Sequence, residues 1–323
     1  MPAEVIDLFC GVGGLTHGLI ESGLNVIAGF DIDPTCQYTY EHNNHVEYHT
    51  ENIREVNAQD LNNIYTADTT KILVGCAPCQ PFSQMRFKLG HANLEDEKYN
   101  LLLEFGRLIN EVNPTVENVP QIRETQIYTQ FIETLRNNGY FISESVVYCP
   151  DYGIPQTRRR FVLVASLLGP IELIPPTHQR ENVHVQDFIG NLPRIQAGET
   201  DPNDPLHRAA VLSEKNLRRI RASIPGGTWR DWPEELRCDC HKRESGQTYS
   251  SVYGRMTWEQ IGPTITTQFF SYGTGRYGHP EQDRALSLRE GALLQTFPQD
   301  YDFIDPDRPF VFRDIARHIG NAV

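Results

Sequence analysis

A cysteine bounded by prolines is the residue best suited to covalent chemistry in this sequence. Residues 75–83 read Gly-Cys-Ala-Pro-Cys-Gln-Pro-Phe-Ser, so that Cys79 follows Pro78 directly and Pro81 comes two residues later. The apolar run Ile72–Gly75 predicts a strand before this loop, which puts Cys79 at the carboxyl edge of a sheet, where open α/β sheets bind ligands. A structural cysteine would more usually lie inside a strand or helix. The position of Cys79 therefore indicates a thiolate nucleophile.

Polar and charged residues that could assist such a nucleophile follow in two groups. Glu117 begins the segment Glu-Asn-Val, and Gln156, Arg158 and Arg160 alternate directly before an apolar run. Taken singly, Glu117 would more often be a surface carboxylate, and the arginines would more often form a solvated turn or bind a phosphate. Because they follow the cysteine loop in this order, they are hard to assign to chance.

A glycine-rich turn near the N-terminus indicates a nucleoside cofactor. Gly11, Gly13 and Gly14 lie between a predicted strand and a predicted helix, where the backbone can approach a ligand and the helix N-terminus offers N–H groups to an anion. Asp31 follows at about 20 residues, the offset of a carboxylate that accepts hydrogen bonds from ribose hydroxyls. A nicotinamide dinucleotide also fits these residues, and the cysteine loop is what argues against it.

The elements that must position these residues alternate in the order of a doubly wound α/β sheet. Apolar runs and helical spacing alternate through the first part of the chain, whereas proline, glycine and charged residues become frequent from about Pro175. A helical pattern returns in Leu288–Thr296. We therefore predict a catalytic, cofactor-binding domain over 1–175, a loop-rich lobe over 176–278 and a segment over 279–323 that completes the first domain. The predicted strands are 5–9, 25–30, 72–75, 146–148 and 161–165, and the predicted helices of the first domain are 101–113 and 128–138.

Composition limits the classes of function. The 323 residues carry a formal charge of -13, with a pI near 5.3, which weighs against general coating of nucleic acid because phosphate binding needs a concentrated positive surface. A basic stretch between Lys215 and Arg230 could supply such a surface locally, and a solvated helix surface is an equally good interpretation. Seven irregularly spaced cysteines favour a reducing, cytoplasmic setting without disulfides, and no apolar run is long enough to predict a membrane span.

The order of these motifs resembles that of the DNA (cytosine-5) methyltransferase family of the bacterial and phage restriction-modification type. The matching motifs, which run from Asp7 to Val323 apart from a variable lobe, are Phe9-x-Gly-x-Gly-Gly, Pro-Cys79-Gln, Glu117-Asn-Val, Gln156-x-Arg-x-Arg, Arg289-Glu290 and Gly320-Asn-Ala-Val. The resemblance implies a Rossmann-like, S-adenosyl-methionine-dependent methyltransferase domain with a smaller loop-rich target-recognition lobe. It also implies methyl transfer to carbon 5 of a cytosine that is flipped out of a specific duplex DNA sequence.

The resemblance implies a catalytic role for each residue of the predicted site. Carbon 5 of cytosine is too electron-poor to take a methyl group directly, so Cys79 would first add to carbon 6. Glu117 would hold the base at N3 and supply a proton, and Arg160 would meet the cytosine O2. Arg158 and Gln156 would order the loop and nearby phosphates. Water is our candidate for the base that later removes the carbon-5 proton.

In the cofactor pocket, the resemblance puts Phe9 against the adenine ring, the glycine turn at the methionine end, and Asp31 on the ribose. Asn52 stands where the family commonly has aspartate, and its side-chain carbonyl can still accept a hydrogen bond from the adenine amino group. The other residues expected in the pocket are Gly11, Gly13, Gly14, Leu15, Ile32, Ile53, Pro78, Leu101 and Asn321.

The variable lobe is expected to read double-stranded DNA in the major groove and to help hold the target nucleotide out of the stack. An aromatic lobe core is as good an interpretation for Trp229 and Trp232 as DNA contact. The residues expected to contact DNA are Gln80, Ser83, Arg218, Arg219, Arg221, Arg230 and Arg276.

Cys238-Asp-Cys240-His241 resembles part of a zinc site, but structural sites usually have wider ligand spacing and a fourth ligand, so we expect no metal. We expect a monomer that does not bind membranes and that works beside a cognate restriction endonuclease. The family normally has a full strand before Glu117 and continues its last motif beyond Val323. We therefore expect the sequence to omit residues at both points.

Two alternative functions are open on the sequence alone. An RNA cytosine-5 methyltransferase would share the chemistry, although the long variable lobe favours DNA. A catalytically impaired DNA-binding homologue would keep the lobe, although the intact Cys79 and Glu117 count against it.

Overall fold

The computed structural model of this protein describes residues 2–77, 100–112, 114, 126–243 and 250–322. The chain forms two compact units, one comprising Met1–Val147 and Arg159–Pro175 and the other Tyr148–Arg158 and Pro176–Ala322. The predicted domain bounds 1–175 and 176–278 stay predictions. Residues 279–322 group with the second unit, and their role in completing the catalytic domain stays a prediction.

A parallel sheet forms the centre of the first unit. β1 (Ala3–Leu8) lies between β2 (Asn25–Asp31) and β4 (Thr70–Gly75), and β3 (Glu47–Thr50) pairs with β2 on its other side. Every pair is parallel, which gives the strand order β3-β2-β1-β4. The long strands are apolar because a parallel sheet is covered on both faces. The predicted α/β architecture is confirmed.

The strand register brings four loop starts to one edge of this sheet. Leu8 at the end of β1 lies opposite both Phe30 and Gly75, and Asp31 at the end of β2 lies opposite Thr50. The residues that follow these strands therefore leave from the same carboxyl edge, where ligands of open α/β sheets bind.

Helices complete the first unit, and the two longest of those described are amphipathic. The helices described in this unit are α1 (Gly14–Glu21), α2 (Gln37–Asn44), α3 (Ala58–Ile64), α4 (Leu101–Val112) and α5 (Gln126–Asn137). Two further strands, β5 (Phe141–Tyr148) and β6 (Arg159–Ser166), pair with each other. The apolar residues of α4 and α5 recur every three or four positions, and Phe105 and Phe131 stack with ring centroids 6.3 Å apart. Both rings join the core that contains Ile6 and Phe161. Burial of each such side chain contributes about 2 kcal/mol.

Short helices and turns make up much of the second unit. Trp229 and Trp232 are 3% and 2% exposed and form an aromatic core with Tyr272, which confirms the interpretation of both tryptophans as lobe core. The helices are α6 (Val185–Ile189), α7 (Glu214–Arg221), α8 (Asp239–Lys242), α9 (Leu288–Leu294) and α10 (Phe312–Asn321). Among the residues described in either unit, no helix has the length and hydropathy needed to cross a membrane.

The Arg289-Glu290 motif is the polar framework of the second unit. Glu290 is fully buried, and its two carboxylate oxygens accept from Arg284 Nη1 and Nη2 at 2.6 and 2.7 Å. Glu290 also closes a capping box with Ser287 at the start of α9. Arg289 forms a two-bond ion pair with Asp204, at 2.7 and 3.1 Å. These bonds satisfy buried charges that would otherwise destabilise the unit by several kcal/mol.

His279 lies beside this ion pair and is held in its neutral form. Its Nδ1 accepts from the backbone N–H groups of Glu281 and Gln282, which requires an unprotonated nitrogen. Burial lowers the pKa of His279 to about 4, with Arg284 and Arg255 acting in the same direction and Glu290 against it. The pKa of Glu290, held down by Arg284 against the effect of burial, is lowered to about 2.

We predict that lowering the pH destabilises the second unit at pH values where the Glu290 carboxylate is still ionised. Since the unfolded chain protonates His279 near its ordinary pKa of 6.5 and the folded chain only near 4, stability is complete above about pH 6.5 and falls as the pH falls toward 4. The loss should be roughly 3 kcal/mol at most. Chemical unfolding measured from pH 7 to 4.5 should show this slope in the native chain and a shallower one in His279→Gln. The control His178→Gln, at an exposed position, should keep the native slope of unfolding free energy against pH. A native slope in His279→Gln as well would contradict the assignment of the acid destabilisation to His279.

Candidate active site

The turn after β1 is rich in glycine, so no side chains cover its backbone at those positions and a ligand can approach it. Gly11 and Gly13 have φ values of 52° and 85°, in the left-handed region that glycine adopts without strain. The Gly13 N–H donates to the Cys10 carbonyl at 2.9 Å and closes the turn, and α1 begins at Gly14. A Cβ placed on Gly11 would meet no atom within 4 Å, so the turn faces open space. This leaves room for a ligand against the backbone.

Asp31 joins this turn to the end of β2. Its Oδ2 accepts from the Gly11 N–H at 3.0 Å, and its Oδ1 accepts from the Asp33 N–H at 3.0 Å. Burial raises the pKa of the Asp31 carboxyl, and the Asp33 and Gly11 N–H groups oppose that rise. Each oxygen keeps a second lone pair for another donor, so the carboxylate can still accept two ribose hydroxyls. The residues present therefore fit a nucleoside cofactor.

Phe9 stands between β1 and the turn in an uncommon conformation. Its φ of 61° is costly for a bulky residue, by roughly 1 kcal/mol or more. Its ring packs edge-on against Phe105 of α4, with centroids 6.3 Å apart. A strained backbone at a ligand edge agrees with the predicted adenine contact, which stays a prediction.

The loop after β3 is fixed by a residue that the sequence did not indicate. Arg107 of α4 donates through Nη2 to the carbonyls of Ile53 and Val56 at 3.3 and 2.9 Å, and its Nε pairs with Glu104 at 2.8 Å. The Asn52 Oδ1 accepts from the Arg54 N–H at 3.2 Å. An i,i+3 acid–base pair on a helix usually indicates only a solvated face, so no sequence signal singled out Arg107.

The other predicted cofactor residues differ in their surroundings. Leu15 is half-buried on α1, Leu101 packs at the edge of the core that contains Ile53, and Ile32 is 66% exposed beside Asp31. Asn321 ends α10 in the second unit and is exposed. Their contacts with a cofactor stay predictions.

The predicted nucleophile and the predicted proton donor lie outside the described residues, as do three other predicted contact residues. These residues are Pro78, Cys79, Gln80, Ser83 and Glu117. The described chain reaches Ala77, two residues before Cys79, after β4 has ended at the same edge as β1 and β2.

Cys10, which also lies at this edge, has the wrong chemistry for a nucleophile. The thiol is buried, and burial, followed by the charges of Asp7 and Asp31, raises its pKa well above the ordinary range. Cys10 therefore stays protonated and inert at neutral pH.

Gln156 and Arg158 hold the second unit together. Gln156 is 1% exposed; its amide donates to the Leu294 carbonyl at 2.8 Å and accepts from the Ile265 N–H at 2.9 Å. Arg158 is also buried and donates to the Gln295 side chain and the Ala322 carbonyl. These contacts order the loop, while the predicted phosphate contacts stay predictions. Arg160, half-buried in β6, donates to the Arg159 carbonyl at 3.0 Å.

Four predicted DNA-contacting arginines are exposed, and one is not. Arg218, Arg221, Arg230 and Arg276 lie at the surface of the second unit. The prediction for Arg219 is wrong, because its side chain is buried and its guanidinium donates to Leu236 O, Asn216 Oδ1 and Cys238 Sγ. Those bonds occupy its Nε and both terminal nitrogens within the lobe core.

Known proteins resemble the chain along its whole length. A family model for C-5 cytosine-specific DNA methylase matches residues 3–323. The Type II methylase M.HgiDII of Herpetosiphon aurantiacus is 53% identical over 330 residues, which cover 100% of this chain and 92% of the relative. The Type II methyltransferase M1.BsuMI of Bacillus subtilis strain 168 is 30% identical, with coverage of 99% and 77%.

Solved structures agree on the fold. The Entamoeba histolytica methyltransferase EhMeth superposes with a TM-score of 0.68 at 16% identity, covering 100% of this chain and 94% of the other. The S. pombe Dnmt2 methyltransferase gives 0.66 at 17% identity with the same coverage. With its family model matched from residue 3 to residue 323, this chain belongs to the C-5 cytosine-specific DNA methylases, enzymes that methylate carbon 5 of cytosine.

Proposed function

We propose that this chain transfers a methyl group from S-adenosyl-methionine to carbon 5 of a cytosine flipped out of duplex DNA, with Cys79 as the nucleophile. The observation that carries the proposal is the Asp31–Gly11 hydrogen bond. It builds a nucleoside-binding edge on the sheet whose β4 ends four residues before Cys79. Membership of the family indicates the type of reaction, and this edge of the sheet is where we place the methyl donor S-adenosyl-methionine.

In this proposal, the Cys79 thiol must be deprotonated, and Glu117 and Arg160 assist its reaction with the cytosine. An unperturbed thiol, with a pKa of about 8.5, is only a few per cent ionised at neutral pH, so the site must favour the Cys79 thiolate. Its addition to carbon 6 makes carbon 5 electron-rich. Glu117 holds the base and gives a proton to N3 as the ring gains electrons, and Arg160 stabilises charge at O2. Water removes the carbon-5 proton before the thiolate leaves.

The cofactor residues bind and orient the methyl donor. Asp31 accepts from the ribose hydroxyls, Phe9 contacts the adenine, and the turn from Gly11 to Gly14 holds the methionine end. The cofactor supplies an electrophilic methyl group when it is bound. The Arg107 bonds to the loop after β3 support this assignment, because they fix the segment that contains Asn52 and Ile53.

The partner in this proposal is double-stranded DNA with a specific site, bound by the lobe over 176–278. Exposure of Arg218, Arg221, Arg230 and Arg276 supports this role, since guanidinium groups bind phosphates and guanine edges. The catalytic domain comprises 1–175 and the segment over 279–323. We further propose a monomeric enzyme that protects DNA from a cognate restriction endonuclease, as the Type II names of its relatives suggest.

Loss of the nucleophile should abolish activity. With labelled S-adenosyl-methionine, the native chain should label duplex DNA and leave tRNA unlabelled, and bisulfite sequencing of a treated plasmid should locate one recurring site. Cys79→Ser should lower the rate by at least about 1,000-fold, because a serine hydroxyl stays protonated and adds poorly to the ring. Cys76→Ser is the matched control and should stay active. Labelling of tRNA alone, or an active Cys79→Ser, would contradict the proposal.

Loss of the ribose contact should weaken cofactor binding. Asp31→Ala removes a charged acceptor, which corresponds to a roughly 10- to 100-fold higher Kd for S-adenosyl-homocysteine by calorimetric titration. Asp60→Ala, at an exposed position in α3, should bind as the native chain does. Unchanged affinity in Asp31→Ala with a native thermal midpoint would exclude Asp31 from the pocket.

A further inference from the structure

Three metal-binding side chains converge in the second unit. Cys238, Cys240 and His241 each offer one donor atom, and these three atoms lie within 4.8 Å of one another. The helix α8 brings them together, because Cys238 precedes it in an extended conformation and its carbonyl accepts from the His241 N–H at 2.9 Å. One helical turn thus brings close together three donors that the short sequence spacing had appeared to exclude from a metal site.

His241 contributes a buried nitrogen without a hydrogen-bond partner. The residue is 5% exposed, and its Nδ1 has no partner among the described residues. A buried polar atom left in this state is unfavourable, and a bound metal ion would satisfy it. The ring is held in place by stacking on Trp229, with centroids 4.1 Å apart, and by Tyr253 at its edge.

Arg219 supplies the outer contact that a bound thiolate needs. Its Nη2 lies 3.0 Å from Cys238 Sγ, and its guanidinium is fixed between the rings of Trp232 and Tyr253 at 5.4 and 5.2 Å. Metal ligands are commonly oriented by such second contacts, and an N–H donor to sulfur suits a metal-bound thiolate. The cation does not repel the ion, since two thiolates neutralise the charge of one divalent metal.

We propose that Cys238, Cys240 and His241 bind a thiophilic divalent metal ion, Zn²⁺ in the first instance. Sulfur and imidazole ligands select zinc over magnesium or calcium. Zinc–ligand distances of about 2.0–2.3 Å place the donors about 3.5–3.8 Å apart, so side-chain movements of roughly 1 Å complete the site. Water or another ligand takes the fourth position. Cys240 is exposed and gives the ion a path of entry.

The bound ion would anchor α8 against the aromatic core of Trp229 and Trp232. All three ligands lie within four consecutive residues. Linking them through the ion therefore removes little conformational entropy from the unfolded chain and stabilises the fold little by that route. Its contribution is instead to satisfy the buried His241 nitrogen and fix the ring against Trp229. The site is independent of the methyl transfer proposed above.

Metal content of the full-length native chain tests the proposal directly. Protein purified under reducing conditions without chelator should hold close to one zinc ion per chain by mass spectrometry of the metal. After removal of zinc and addition of Co²⁺, the near-ultraviolet spectrum should show thiolate-to-cobalt charge transfer, and the visible spectrum should show tetrahedral d–d bands. Chains that take up neither Zn²⁺ nor Co²⁺ would overturn the proposal, as would a cobalt spectrum without thiolate ligation.

Two variants assign the ligands. Cys240→Ser alters an exposed residue, and His241→Asn removes the buried imidazole; each should raise the zinc Kd by at least about 100-fold, more than the loss of an outer contact. Cys149→Ser, at a buried cysteine of the same unit that is not among the three proposed ligands, should bind zinc as the native chain does. Native zinc affinity in a folded Cys240→Ser would contradict the assignment even if His241→Asn failed to fold.

Discussion

The common end point of the parallel strands is the constraint on which the rest of the first unit depends. Leu8, Phe30 and Gly75 lie at one level of the sheet, so the loops after β1, β2 and β4 begin side by side. The hydrogen bond from Gly11 to Asp31 joins two of these loops across the edge. A side chain from one strand thereby fixes the backbone that follows another, so the edge proposed to bind the cofactor is already ordered without a ligand.

The second unit depends on a different kind of interaction, a buried ion pair. Arg284 and Glu290 are each fully buried, and their paired hydrogen bonds are supported by Ser287 and by neutral His279. In a unit of short helices and turns, packing area alone gives little rigidity, and satisfied buried charges specify one arrangement of the loops. The family motif Arg289-Glu290 therefore stabilises the fold of the second unit through these contacts.

Much of the fold followed from patterns with a clear physical cause. The strands β1, β2 and β4 and the helices α4 and α5 were predicted because buried parallel strands are apolar and helices bury one face. β3 and α2 were missed, since Glu47–Thr50 and Gln37–Asn44 are mostly polar. The glycine turn and Asp31 were predicted together, and the structure joins them by a hydrogen bond. Arg219 misled the prediction because a basic helix gives no sign that one of its arginines lies between two aromatic rings.

Covalent trapping tests the central claim, that Cys79 forms a bond to the cytosine. Fluorine at carbon 5 blocks loss of the proton that must precede release of the thiolate. Duplex DNA with 5-fluorocytosine at the methylated position should therefore give a denaturation-resistant adduct only when S-adenosyl-methionine is present. Peptide mapping should place the DNA on Cys79, and Cys79→Ser should give no lasting adduct. Turnover on the fluorinated DNA without trapping, or an adduct on Cys76 or Cys10, would contradict the account.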